Sequence, residues 1–239
     1  MQRFANWTNL SETTFVTAAA GSEYHVRIFT PRAELPFAGH PTVGTATALL
    51  QLGRIAPEDG KLVQHCGLGA VELAVDDGMV FTSIPQRALR RIDCPELSAC
   101  FGGVALDSPM SIDVGPVWLV ARVFGGVREL EGLRPDFAAV IAVEHRHAVT
   151  GVSLYAVDDE EVHVRSFAPG SGIPEDPVCG SGNGAVARHL HELGHTAEQY
   201  VARQGRCVGR DGVVHVRWHA GTLQVGGHAV RVVSGSLSC

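Results

Sequence analysis

Two stretches of this chain set an acid, an imidazole, a thiol and hydroxyls beside glycine. The first is Pro36-Phe37-Ala38-Gly39-His40-Pro41-Thr42-Val43-Gly44-Thr45-Ala46. The second is Glu175-Asp176-Pro177-Val178-Cys179-Gly180-Ser181-Gly182-Asn183-Gly184-Ala185. Each follows an Arg-x-Phe-x-Pro run, Arg27-Ile28-Phe29-Thr30-Pro31 and Arg165-Ser166-Phe167-Ala168-Pro169, and each leads into small apolar residues at helical spacing. A glycine at the mouth of a helix lets ligand atoms approach the backbone, where the first N–H groups have no internal partner. Their partial positive charge favours an anion. Two such mouths facing each other would hold a carboxylate and present His40, Ser181, Asp176 or Cys179 to it. The plainer reading is an ordinary strand-to-helix turn eased by glycine; repetition of the loop in the same context weighs against it.

The elements that must position these residues follow from pattern. Residues 1–9 form a turn or two of helix. A β-branched strand then begins near Glu12, an acid that would ordinarily be solvated at the base of a strand. Residues 24–29 alternate as a half-buried strand does, and the first helix runs to about Leu52 with Gly53 as its cap. Short strands are expected over 61–64, 70–75 and 79–83, a helix over 93–101, and an apolar strand over 116–121. Residues 127–130 read as strand or turn, 134–140 as helix, and 139–143 and 152–157 as strands. Residues 158–161 are an acidic hairpin tip, 162–167 feed the second loop, and 213–218 and 221–225 are strands of the tail. The fold class is α+β with two similar lobes, residues 1–105 and 106–239, the last strands being able to return to the first lobe.

Composition narrows the function. The 239 residues suffice for cored lobes, and with 45% apolar and 18% charged residues the chain is no disordered segment. A net charge of −6 with scattered basic residues does not support a nucleic-acid footprint. No apolar run approaches a membrane span of ~20 residues and no leader pattern opens the chain, so a soluble cytoplasmic protein is expected. The six cysteines form no C-x-x-C pair, which argues against a disulfide framework. His191-Glu192-Leu193-Gly194-His195 spells H-E-x-x-H, but Gly194 reads as a helix cap that takes His195 off the face of His191, so no metal site is expected there. His145-Arg146-His147, read as strand, is a weaker metal signal still. Gly180-Ser181-Gly182-Asn183-Gly184 lacks the spacing of a dinucleotide fingerprint.

Four stretches together, Asn9-Leu10-Ser11-Glu12-Thr13-Thr14-Phe15-Val16, Arg27-Ile28-Phe29-Thr30-Pro31, Glu34-Leu35-Pro36-Phe37-Ala38-Gly39-His40-Pro41-Thr42 and Asp176-Pro177-Val178-Cys179-Gly180-Ser181, resemble the phenazine-biosynthesis PhzF-like family of the diaminopimelate-epimerase-like fold. The resemblance implies two pseudo-symmetric lobes, each a curled sheet around a central helix, with the active site between them. It also implies a homodimeric enzyme that needs no cofactor and acts on a small-molecule carboxylate. Glu12 matches the family's proton-shuttling glutamate, and His40 and Asp176 match its polar partners. Gly39, Gly180 and Ser181, with Ser11, match residues that hold the substrate. By analogy the first lobe is truncated at its N-terminal side, lacking one or two strands.

The implied reaction moves a proton between carbons of an unsaturated, cyclic amino acid or related carboxylate of secondary metabolism. A glutamate beside apolar neighbours would have its pKa raised towards neutrality and could serve as base, then acid. Cys179 stands where the family commonly carries threonine, and a cysteine at a helix N-terminus is a candidate low-pKa thiol. The alternative is therefore an epimerase or dehydratase using a Glu12/Cys179 pair. A symmetric two-cysteine racemase is excluded because Ala38 occupies the partner position. A catalytically silent small-molecule-binding member of the fold is the third reading.

Overall fold

The computed structural model describes residues 1–158 and 161–237. The chain divides into two compact units, one comprising Met1–Thr82 with the chain from Gly226 onward, the other Ser83–Val225. Residues 83–105, given to the first lobe on sequence, thus group with the second unit.

The first unit holds α1 (Gln2–Thr8), β1 (Thr13–Ala20), β2 (Glu23–Phe29), β3 (Glu34–Leu35), α2 (Gly39–Gln51), β4 (Lys61–Cys66), β5 (Gly69–Asp76) and β6 (Met79–Ser83). Its strands lie in the order β1-β2-β4-β5-β6, with β3 beside β2. β1 and β2 form an antiparallel hairpin that sets Thr13 opposite Phe29. β2 and β4 are parallel, so the chain must cross over between them, and α2 makes that crossing. The alternation in β2 sends Tyr24, Val26 and Ile28 inward, where they meet Ala46 and Leu49 of α2 and Leu62, Leu73 and Val80 of the following strands. Gly53, at φ +63°, ends α2, and Asp77-Gly78, both at positive φ, make the tight turn between β5 and β6.

The second unit holds β7 (Leu89–Arg91), β8 (Met110–Asp113), β9 (Val117–Arg122), α3 (Gly126–Gly132), α4 (Phe137–His147), β10 (Gly151–Asp158), β11 (Glu161–Ala168), β12 (Ile173–Asp176), α5 (Gly180–Glu192), β13 (Gln199–Gln204), β14 (Gly212–His219) and β15 (Thr222–Gly227). Its sheet order is β15-β14-β13-β11-β10-β9-β8-β7, with β12 beside β11; β9 and β10, and β11 and β13, run parallel. Both faces are covered. Trp118 and Val120 of β9 join the core beneath α5, while Leu119 and Ala121 join the core against α3 and α4. A strand buried on both faces reads as an unbroken apolar run, which is why β9 was plain in the sequence.

The mixed α+β class holds, and one motif occurs in both units. A long strand is followed by a short antiparallel return strand, a helix, and a strand parallel to the first: β2-β3-α2-β4 and β11-β12-α5-β13. Three local expectations fail. Residues 127–130 lie in α3 rather than in a strand or turn. Residues 139–143 lie inside α4, where Asp136 Oδ1 accepts from the N–H groups of Ala138 and Ala139 and Ala148 ends the helix at φ 52°. A short buried helix with β-branched residues is not separable from a strand by periodicity. Of residues 93–101 only Ala99–Phe101 is helical, as a 3-10 turn; the residues before it make successive tight turns beginning Leu97 N–H to Cys94 O. In the acidic hairpin Asp158 faces Glu161, and Asp159 and Glu160 lie outside the described residues. Among the described residues no helix is long and apolar enough to cross a membrane.

Candidate active site

Glu12 sits one residue before β1, which lies against α2 through a hydrogen bond from Thr45 Oγ1 to Thr14 Oγ1 at 2.8 Å. His40 is the second residue of α2. Its Nε2 lies 2.8 Å from Glu12 Oε2, and the Glu12 side chain is 11% exposed against 43% for His40. Burial is the largest single influence on Glu12 and pushes its carboxyl up. A hydrogen bond and the charge of His40, with a further hydrogen bond from Ser11, outweigh it, and the net direction is down. This corrects the expectation of a raised pKa: the apolar neighbours are present, but His40 and Ser11 favour the charged form more than burial penalises it. Glu12 and His40 line one cavity of about 610 Å³ with Thr14, Val16, Gly44 and Leu49. A buried chain of hydrogen bonds fixes the start of α2: Tyr24 O–H donates to Gln64 Oε1 at 2.8 Å, and Gln64 Nε2 donates to Thr42 Oγ1 at 2.9 Å.

In the second unit Gln204 on β13 plays the matching part for the second loop. Its Nε2 donates to Asp176 O at 2.7 Å, and its Oε1 accepts from Asn183 Nδ2 at 2.7 Å and from Cys179 N–H at 3.2 Å. Asp176 Oδ1 accepts from Val178 N–H at 2.9 Å. Ser181 Oγ accepts from Trp118 Nε1 at 3.1 Å and lies 3.6 Å from Cys179 Sγ, within hydrogen-bond reach of a sulfur. Cys179 is the N-cap of α5, its sulfur accepting from Gly182 N–H at 3.3 Å. The low-pKa thiol expected from this position does not occur. Burial, then the neighbouring Asp176 charge, push the thiol up to about 12, beyond what Ser181 and Gly182 offset. The helix mouth is there, but the sulfur is 6% exposed as a residue and faces an acid.

The glycines separate the two readings of the loops. At Gly182 an added Cβ would lie 2.6 Å from Ser166 Oγ and 2.8 Å from Ser153 Oγ, and at Gly184 2.8 Å from Ile84 Cγ2, so packing alone demands glycine. Gly39 and Gly180 have no positive φ. A Cβ on Gly39 would meet nothing within 4 Å, and one on Gly180 would meet only Val225 Cγ2 at 3.6 Å. Neither the backbone nor the packing requires glycine at these two helix starts, where a ligand would approach the free N–H groups.

The structure therefore brings Ser11, Glu12, Gly39 and His40 together in the first unit, and Asp176, Cys179, Gly180 and Ser181 together in the second. Sequence reasoning missed Gln64, Gln204 and Trp118, whose roles depend on strand pairing; nothing in their local sequence marks them. At His191-Glu192-Leu193-Gly194-His195, α5 ends at Glu192, Gly194 has φ +87°, and His195 N–H bonds to Leu190 O. The His191 ring packs 5.0 Å from that of Trp218 and the His195 ring 6.4 Å from that of Tyr200. His145-Arg146-His147 is the last turn of α4, not a strand.

Known proteins set this arrangement in its class. The sequence profile described as phenazine biosynthesis-like protein, PhzC-PhzF, matches residues 1–235. A trans-2,3-dihydro-3-hydroxyanthranilate isomerase of Pseudomonas aeruginosa is 34% identical over 230 residues, covering 91% of this chain and 78% of that protein. Antisense-enhancing sequence 1 of Schizosaccharomyces pombe is 32% identical over 258 residues, covering 98% and 87%. The crystal structure of an Enterococcus faecalis protein of the phenazine biosynthesis PhzF family superposes with a TM-score of 0.78 at 25% identity, covering 95% of this chain and 82% of that one. The α+β framework is thus that of a family of isomerases. The chain belongs to the PhzC-PhzF family of phenazine biosynthesis-like proteins.

Proposed function

We propose that this isomerase, without a cofactor, moves a proton between carbons of a small, unsaturated cyclic amino acid or related carboxylate of secondary metabolism. A substrate like the trans-2,3-dihydro-3-hydroxyanthranilate in a relative's name is the first to try. The observation that carries this reading is the 2.8 Å contact between the shielded Glu12 carboxylate and His40 beside a cavity. A carboxylate held ionised by an imidazole starts in the form that removes a proton from carbon. Once protonated it is a ready acid and returns the proton to another carbon, so one group serves both half-reactions. His40 follows the charge on Glu12 through the cycle, and Asp176 assists proton movement. Gly39, Gly180 and Ser181, with Ser11, hold the substrate carboxylate through helix-start N–H groups and hydroxyls. The protein is further proposed to be a cytoplasmic homodimer, which light scattering after gel filtration tests.

The decisive experiment incubates the protein with trans-2,3-dihydro-3-hydroxyanthranilate and related unsaturated cyclic amino acids in deuterated water and follows products by NMR. A double-bond shift with a new C–H or C–D bond, abolished in Glu12→Gln while the substrate still binds, is the expected result. Full turnover in Glu12→Gln removes Glu12 as the shuttle. Loss of turnover in Cys179→Ser instead would favour the epimerase or dehydratase reading. Binding without turnover of any of these compounds would favour the silent member.

A further inference from the structure

Outside the residues assigned to proton transfer, the second unit gathers a thiol, a carboxylate and an imidazole at one point. Cys94 and Glu96 lie in the tight turns that follow β7, and His147 is the last residue of α4. One ligand atom from each, the Cys94 Sγ, a Glu96 carboxylate oxygen and a His147 ring nitrogen, lies within 4.8 Å of the other two. Cys94 is buried, the His147 side chain is 15% exposed, and His147 Nε2 is shielded from solvent with no hydrogen-bond partner among the described residues. That nitrogen lies 3.8 Å from Glu96 Oε1. A buried ring nitrogen without a partner is costly, and next to a thiol and a carboxylate it is arranged as a ligand is.

We infer that Cys94, Glu96 and His147 form a binding site for a divalent cation of the zinc class. One sulfur, one nitrogen and one oxygen donor are a set suited to zinc, and three protein ligands leave a fourth position for water. Bonds of ~2.0–2.3 Å in a tetrahedron put ligand atoms about 3.5 Å apart, so the cluster closes by a movement of about 1 Å shared among three side chains. The last carbonyls of α4 add negative potential where the cation would sit. A cavity of about 440 Å³ lies beside the cluster, lined among others by Asp93, Cys94, Ser98, Asp107 and Ser108, and its two aspartates make an acidic approach. Arg146 opposes the site, because its guanidinium is hydrogen-bonded to Glu96 Oε1. Its side chain is 64% exposed, however, and free to swing into water when the carboxylate turns to a cation. Binding releases the thiol proton to solvent and clips the turns at 93–101 to the end of α4.

The test is a Co²⁺ titration of the full chain after chelator dialysis, read by absorption, with Zn²⁺ as competitor. One equivalent of Co²⁺ is expected to give a sulfur-to-cobalt charge-transfer band in the near ultraviolet and tetrahedral bands in the visible, both displaced by Zn²⁺. Cys94→Ser should lose the charge-transfer band, His147→Gln should weaken binding by at least ~10-fold, and Arg146→Gln should tighten it. Absence of the band in the parent protein overturns the inference, as does its persistence in Cys94→Ser or its loss in Cys66→Ser or Cys207→Ser. Circular dichroism checks the fold of each variant. Should Cys94→Ser fail to fold, unchanged Co²⁺ affinity in both His147→Gln and Arg146→Gln overturns the inference equally.

Discussion

In the first unit Arg27 reaches from β2 to Glu34 on β3 with a two-pronged ion pair, its side chain 51% and that of Glu34 43% exposed. In the second unit Arg165 makes the same fork from β11 to Glu175 on β12, with both side chains under 10% exposed, and also donates to the carbonyls of Leu130 and Leu133. Each guanidinium lies over the phenylalanine two residues on, Phe29 or Phe167, at 5.2 and 5.1 Å from the ring centre. A glutamine on the parallel strand, Gln64 or Gln204, then secures the fourth residue of the helix, Thr42 or Asn183. The plan is shared and the finish differs. α5 is capped by the Cys179 sulfur, whereas Ala38 offers α2 no side-chain cap. The second loop is braced by a side-chain cap at its helix start; the first has none.

Four sets of variants break or sharpen that contrast. The largest effect is expected from Glu12→Gln, which should lower kcat by ~10²–10⁴ as loss of a general acid–base group does, while Cys179→Ser keeps kcat within the parent's order of magnitude. Steady-state kinetics on the deuterium-assay substrate decides, and comparable losses in both variants would erase the division of labour. Next comes the ion pair. Arg165→Met should cost ~3–5 kcal/mol in urea unfolding because it strands a buried carboxylate, and Arg27→Met should leave the unfolding midpoint nearly unchanged because water screens its partner. Equal costs would mean that burial does not distinguish the loops. Gly182→Ala should destabilise by ~1–3 kcal/mol through overpacking. Gly39→Ala should leave the unfolding midpoint in place, since its methyl would meet nothing in the protein within 4 Å, and should raise KM if the proposed substrate site is right. The smallest change is a pH shift. His40→Asn removes the interactions that hold the Glu12 carboxyl down and leaves burial pushing it up, so the acid limb of kcat/KM against pH should move to higher pH. A limb that stays in place would show that the imidazole does not set the charge on Glu12.

Both glycine loops and the strands that feed them were legible because their signals are local: an Arg-x-Phe-x-Pro run, small residues at a helix mouth, β-branched alternation. Glu12 could be singled out only through family resemblance, since an acid at the foot of a strand carries no local mark. The direction of its pKa depended on His40, distant in sequence, and burial alone pointed the wrong way. Cys179 was misjudged for a related reason, because the helix mouth is visible in sequence whereas the depth of burial and the nearby Asp176 charge are not. α4 was obscured by an apolar run that fits either period, and α3 by being too short and too polar to show one. The grouping of Cys94, Glu96 and His147 escaped notice because the packing of α4 against the turns that follow β7 brings them together, while the eye-catching H-E-x-x-H is broken by Gly194.

The first unit is not continuous in the chain: residues 1–82 belong with the segment from Gly226 onward, and the whole second unit is encoded between them. A Cβ on Gly226 would lie 2.4 Å from Val80 O, so that late segment runs hard against β6. On a ribosome, β1 to β6 therefore emerge and wait, at synthesis rates for on the order of ten seconds, before the strand that completes their unit exists. The second unit has every residue it needs by then. The half bearing Glu12 and His40 therefore cannot close before the residues that follow Val225 have been made.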